Sequence, residues 1–220
     1  MNNISLGRRC WLCAYGLLLT LTSGCGLLQS RATPQPAFYS LDNTWRAVGA
    51  VASARAVASN AAPILIVNPS HAAAGFESSR IIYTREPHQL EYFAHSEWIE
   101  PPARMLVPLV VAAVESSGAF RAVIPTPSAA VGDLRLDTEI IRLQHEFGAL
   151  PSRAHFTLRA YIVDNTTRLV LAWREFDESA PATSEDPYGG VVAANRVIRL
   201  VLEDLSTFCA EQARIKSVDN

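Results

Sequence analysis

Leu134-Arg135-Leu136-Asp137-Thr138-Glu139-Ile140 alternates apolar with polar residues along its whole length. Successive side chains of a β-strand point to opposite faces, so Leu134, Leu136, Thr138 and Ile140 share one face. The pattern returns in a second segment, where Phe156, Leu158, Ala160 and Ile162 share a face. It returns again in a third, where Leu169, Leu171 and Trp173 do. Asp164-Asn165-Thr166-Thr167 lies between the last two and carries turn chemistry. Three consecutive strands with an apolar face need a cover for that face.

The flanking sequence supplies two covers. Met105, Leu106, Leu109, Val110, Ala113 and Val114 recur at helical spacing. Glu97 to Glu100 and the pair Pro101-Pro102 mark the start of that helix, and Ser116-Ser117-Gly118 its end. Pro108 is expected to kink it or to end its first part. A second helix runs from about Thr183 to Arg214, with a stripe of Val191, Asn195, Ile198, Leu202, Leu205 and Cys209. Thr183-Ser184-Glu185-Asp186 is its expected capped start.

Upstream, Ile64-Leu65-Ile66-Val67 reads as a buried strand. Arg80-Ile81-Ile82-Tyr83-Thr84 and Gln89-Leu90-Glu91-Tyr92-Phe93 read as a hairpin around Arg85-Glu86-Pro87-His88. Phe38 to Leu41 and Phe120 to Ile124 are further short strands, and Ala47 to Ala62 a loop. The expected fold is α+β: a single domain with a mostly antiparallel or mixed sheet and two amphipathic helices packed on one face.

The N-terminus has a different character. Arg8-Arg9 precede an apolar run from Trp11 to Leu21, then Thr22-Ser23-Gly24-Cys25. A basic start, a short apolar run and small residues make a secretory signal. The run is too short to span a bilayer, which takes about 20 apolar residues. Cys25 directly after the small residues resembles the lipobox of bacterial lipoproteins, whose cysteine is acylated and becomes the new N-terminus. The other readings are an ordinary signal peptide cut near Gly24 and an uncleaved anchor. Gln29 to Pro36 is polar and proline-containing, as a tether is. The expected organisation is a signal peptide over 1–24, the lipidated cysteine and flexible tether over 25–37, a globular domain over 38–215 and a C-terminal tail over 216–220. Gly26 stands where an aspartate marks inner-membrane retention in Gram-negative lipoproteins, so the resemblance places the protein on the periplasmic face of the outer membrane.

The formal net charge is −2 and Lys216 is the only lysine. There is no basic stripe for nucleic acid. Cys10 and Cys13 fall in the signal and Cys25 is the lipid site, which leaves Cys209 without a disulfide partner in the chain. Its place on the helix stripe predicts a buried structural thiol. No Gly-x-Ser-x-Gly elbow, HExxH motif or phosphate-binding glycine loop occurs. His71, His88, His95, His145 and His155 have no metal-ligand spacing. His145 and His155 could meet across paired strands, but polar-face histidines are the preferred reading. Glu97 and Glu100 are explained by a helix N-terminus. No catalytic, cofactor or metal residue is assigned. Trp98 is either an aromatic capping the core between hairpin and helix or an exposed partner contact.

In order along the chain, these segments resemble one family. Phe38-Tyr39-Ser40-Leu41-Asp42 is similar to the opening of the ABC-type transport auxiliary lipoproteins, shortly after their lipidated cysteine. Ile64 to Val67 resembles their next strand, Ser79 to Arg85 their hairpin, and Trp98 with Pro102-Ala103-Arg104-Met105-Leu106 their tryptophan-containing helix start. The Ala- and Gly-rich stretch from Asn68 to Glu77 departs from the family pattern. The resemblance implies a non-enzymatic lipoprotein of a mammalian-cell-entry (MCE) or paraquat-inducible type system that moves lipid, mainly phospholipid. The implied partners are an MCE-domain periplasmic protein, with an inner-membrane permease and ATPase, and the membrane through the lipid anchor. A homo-oligomer is left open. The competing reading is an independent structural envelope lipoprotein that binds peptidoglycan or another wall component, and an enzyme comes third.

Overall fold

The structure is a computed structural model, and it describes residues 35–42 and 61–218. Cys25, the signal segment and most of the Ala47–Ala62 loop lie outside the described residues. The strands are β1 Ala37–Tyr39, β2 Ile64–Val67, β3 His71–Ala72, β4 Arg80–Thr84, β5 Glu91–Trp98, β6 Ala122–Pro125, β7 Leu134–Glu146, β8 Arg153–Asp164 and β9 Val170–Pro181. The helices are α1 Pro102–Ser116, between β5 and β6, and α2 Pro187–Val218, after β9. This is the expected α+β fold, with a mixed sheet of nine strands.

β7 is the spine. On one edge it pairs antiparallel with β8, which pairs antiparallel with β9. On its other edge three short strands follow one another, all parallel to it. β2 lies against Leu134–Leu136, β3 against Glu139–Ile140 and β4 against His145–Glu146. β6 extends the sheet beyond β2 in parallel. β5 pairs antiparallel with β4, as the hairpin reading expects, and β1 adds parallel to β5.

Leu134, Leu136, Thr138 and Ile140 are buried as the alternation predicts. A bulge between Ile140 and Arg142 then shifts the parity, so that Leu143 and His145 continue the same buried face. An extra residue in one strand of a pair has this effect, because side chains alternate with period two. Beyond the bulge, β8 keeps Phe156, Leu158, Ala160 and Ile162 facing inward. α2 covers this face of β7, β8 and β9, and α1 packs beside α2, with the Ser206 hydroxyl donating to the Ala113 carbonyl at 2.8 Å.

Several local expectations are corrected. α1 continues through Pro108, so the proline does not end its first part. Its start is Pro102, while Glu97 and Trp98 belong to β5, so Glu97 and Glu100 are not a first-turn carboxylate pair. α2 begins at Pro187, about a turn later than expected, and includes Lys216 to Val218 rather than releasing them as a tail. Its cap is Asp186, whose Oδ1 accepts the Gly189 N–H at 2.7 Å and the Ser184 hydroxyl at 2.8 Å. At the other end of α2, Lys216 Nζ donates to Asp164 Oδ2 at 2.9 Å. Asp164 Oδ1 also accepts the amides of Thr166 and Thr167, which shapes the β8–β9 turn. Asn195 interrupts the apolar stripe of α2 for a reason: its side chain bonds the backbone of Ser40 and Asp42 and holds the exit of β1.

Candidate functional site

The sheet face opposite the helices is polar and internally paired. On β7, β8 and β9 the outward positions carry Arg142, His155, Thr157 and Asp177. Arg142 Nη2 reaches Asp177 Oδ1 at 3.0 Å and His155 Nε2 at 2.9 Å. His155 Nδ1 lies 3.3 Å from Glu146 Oε1. Burial raises the Asp177 carboxyl, but the Thr157 hydroxyl, Arg142 and His155 outweigh it and hold the group below its ordinary value. Arg159 pairs with Glu175 at 2.7 Å on the same face. Each carboxylate of this ladder is met by a cation. Among the described residues no cluster of His, Cys, Asp and Glu could hold a metal ion.

Toward the β8–β9 turn the ladder continues on β7 as the Arg135–Asp137 pair at 2.9 Å, while on β9 apolar side chains replace it. Leu169 is 64% exposed, Leu171 47% and Trp173 62%, with Val170 exposed between them. Trp173 stands opposite Tyr161, with ring centroids 6.5 Å apart. The sequence groups Leu169, Leu171 and Trp173 on one face; in the structure Trp173 takes the outer face, and a bulge between Val170 and Ala172 breaks the alternation that would tie it to Leu169.

His145 and His155 do not meet. Gln144 pairs with His155 and His145 with Ala154, so the two imidazoles lie on opposite faces of the sheet. His155 is the polar-face histidine expected; His145 is buried beneath α2. His145 Nε2 and Ser152 Oγ are 2.7 Å apart, the spacing of a nucleophile and its base. Two features make the pair a clasp instead. Ser152 is 0% exposed. The third group of a triad would sit on His145 Nδ1, which has no hydrogen-bond partner among the described residues and faces Gly190. A Cβ at Gly190 would stand 2.4 Å from His145 Nδ1, so glycine is required for α2 to approach this ring. Burial holds the His145 pKa below its ordinary value, against the opposing pull of Glu185 and Asp186. Glu185 Oε1 accepts the Ser152 amide at 3.0 Å and closes the clasp. The sequence signal was the Gly189-Gly190 pair in the first turn of a long helix, where glycine is otherwise unfavourable.

Trp98 ends β5 and is 3% exposed, inside the core with Ile81 and Leu106. Of its two readings, the core aromatic is the one that fits; a partner contact needs surface that Trp98 does not present. Cys209 is buried, and burial pushes its thiol up to about 12. An open groove of about 330 Å³ lies between the β4–β5 and β7–β8 turns, lined by Arg85, His88, Glu146 and Arg153 among others. Its cations are already engaged: Arg85 bonds Glu91 and Arg153 bonds Ser179. No described helix is long and apolar enough to cross a membrane.

No curated protein matches the chain. Among solved structures, protein XCC0632 of Xanthomonas campestris, a DUF330 protein, is 25% identical, with a TM-score of 0.65 over 75% of this chain and 95% of that one. A second crystal structure, of an uncharacterized protein, is 12% identical with a TM-score of 0.58, over 81% of this chain and 98% of that one, and shares the fold. The model of the ABC-type transport auxiliary lipoprotein component family matches residues 47–206. That span runs from ahead of β2 through most of α2, and the chain belongs to the family of ABC-type transport auxiliary lipoprotein components.

Proposed function

We propose that this chain is a non-enzymatic lipoprotein subunit of an MCE-type ABC transport system that moves lipids, chiefly phospholipids, across the cell envelope. In this reading Cys25 carries the acyl chains and the domain docks the periplasmic MCE-domain tunnel at the outer membrane. The observation that carries the reading is the family match across residues 47–206. The placement of its chemistry supports it. Cys209 and the Ser152–His145 pair are closed off, while the outer sheet face offers a surface suited to recognition.

Two experiments test it. Metabolic labelling with a palmitate analogue is expected to mark the wild-type protein and not Cys25→Ser; equal labelling removes the anchor. The soluble domain starting near Pro36 is expected to co-purify with an MCE-domain protein encoded beside it. Repeated failure to co-purify, together with pull-down on peptidoglycan, would favour a structural envelope lipoprotein.

A further inference from the structure

We infer that the end of the molecule formed by the β8–β9 turn is a membrane-contacting tip, which lays its apolar side chains into the interface of a phospholipid bilayer. One end of the sheet collects the start of β7, the end of β8, the start of β9 and the C-terminal end of α2. It carries Val131, Leu169, Val170, Leu171, Trp173 and Ile215, all exposed. From Leu169 to Trp173 this is the densest run of exposed large apolar side chains among the described residues.

The polar groups at this end suit the same partner. Its acids are engaged: Asp164 accepts the amides of Thr166 and Thr167, Asp133 accepts that of Ile64, and Asp137, level with Trp173, pairs with Arg135. Lys216 also engages Asp164. Arg168, on the turn itself with φ 66°, and Arg214 at the end of α2 remain exposed. An apolar tip with an aromatic residue and a cationic rim has the composition of a surface at the headgroup boundary of anionic bilayers. The opposite end, around Glu86, His88, Glu146 and Arg153, mixes both signs of charge.

The inference rests on the lipid anchor proposed above, and the tether length is consistent with it. The start of β1 is level with about Leu143 of β7, about nine strand residues from Leu134 at the tip. At about 3.3 Å per residue that is roughly 30 Å. About 11 residues separate Cys25 from Pro36, and extended they reach roughly 36–40 Å. A nearly extended tether therefore lets the tip reach the membrane that holds Cys25. Tethering also raises the effective concentration at the bilayer, so a weak apolar contact suffices to orient the domain.

The test places an environment-sensitive fluorophore at Leu171→Cys, or at Glu86→Cys on the opposite end, in the processed full chain. Cys209 is closed to labelling by burial. The chain is reconstituted in vesicles of phosphatidylethanolamine and phosphatidylglycerol. The expected result is a blue shift and a roughly twofold rise at position 171 as the probe leaves water, with no change at position 86. No change at 171, or an equal change at both positions, overturns the inference. A rise at 171 that follows protein concentration without vesicles also overturns it, because a second copy then covers the tip. Intact mass reads the anchor separately. Where no acyl mass is found, Cys25→Ser with a histidine tag inserted after Gln29 is held on nickel-chelating lipid and the same probe is read.

Discussion

β7 and β9 are both long strands of alternating sequence, yet they use alternation in opposite ways. β7 is paired along both edges and sends Leu134, Leu136 and Ile140 into the core. β9 pairs with β8 and leaves Leu171 and Trp173 exposed, with Ala172, Phe176 and Ala180 as its inward apolar side chains. The reason lies in register. Phe176 stands opposite Leu158 and Arg174 opposite Ala160, so from Ala172 to Ala180 the even-numbered residues of β9 face α2. Turning Trp173 inward would carry Glu175 and Asp177 in with it and turn Phe176 and Ala180 out, because side chains alternate from Ala172 to Ala180. Burying two carboxylates costs more than leaving one aromatic side chain wet. Alternation reveals which residues share a face; the least tolerable residue in the set decides which face that is.

The comparison makes its largest prediction on the inward side. Phe156 on β8 is fully buried in the core. Phe156→Ala removes most of an aromatic ring from a close-packed site and is expected to destabilise by about 3–5 kcal/mol. Urea unfolding followed by far-UV circular dichroism measures it. A loss under about 1 kcal/mol would mean that the inward face is not packed as described.

A somewhat smaller effect is expected where α2 presses on β7. In Gly190→Ala the new methyl would overlap the His145 ring, with 2.4 Å to Nδ1, and one of them must shift. Overpacking of this kind costs about 1–3 kcal/mol. An unchanged melting temperature would show that the helix start yields freely.

Much of this architecture was legible in sequence. The three strands of the meander, the hairpin and both helices follow from periodicity and turn residues, and the family resemblance followed from their order. The bulge at Ile140–Arg142 was also written there, since Leu143 and His145 break the parity of Leu134 to Ile140, but only pairing shows which strand carries the extra residue. The location of Trp98 was not legible. Two prolines follow closely and suggest a helix start, whereas pairing with β1 on one side and the bond from the Trp98 amide to the Ser79 carbonyl on the other carry the strand as far as Trp98. The His145–Ser152–Glu185 clasp joins three elements that are separate in sequence, so local pattern cannot reveal it.

The clasp gives the comparison a pH signature. Burial lowers the pKa of His145 below its ordinary 6.5, so folding favours the neutral ring. As pH falls through 6.5 the unfolded chain takes up a proton that the folded chain resists, and stability declines until the folded value is reached. Between about pH 8 and pH 5 the wild-type protein is therefore expected to lose more stability than His145→Gln, with parallel curves above about pH 8. Urea midpoints across the range measure the difference. A wild-type curve that rises on acidification relative to the variant would contradict a neutral buried ring.

The smallest expected effect is on β9, and it is the one that decides the comparison. Trp173 is the largest side chain on the outer face near the turn, and among the described aromatic residues its ring meets Tyr161 alone. Most of its surface is already in water, so Trp173→Ala removes little burial. Exposed substitutions of this kind fall within about 0.5 kcal/mol, and the cross-strand pair with Tyr161 adds at most a few tenths more. The same residue type on the inward face would cost several times that. If Trp173→Ala lowered the urea midpoint of the isolated protein as far as Phe156→Ala does, the outer face of β9 would be part of the packed core and the two strands would not differ as described. If stability is kept and binding to a vesicle or partner is lost, Trp173 has the character of a recognition residue. Selection then keeps a tryptophan in water because something outside the chain covers it.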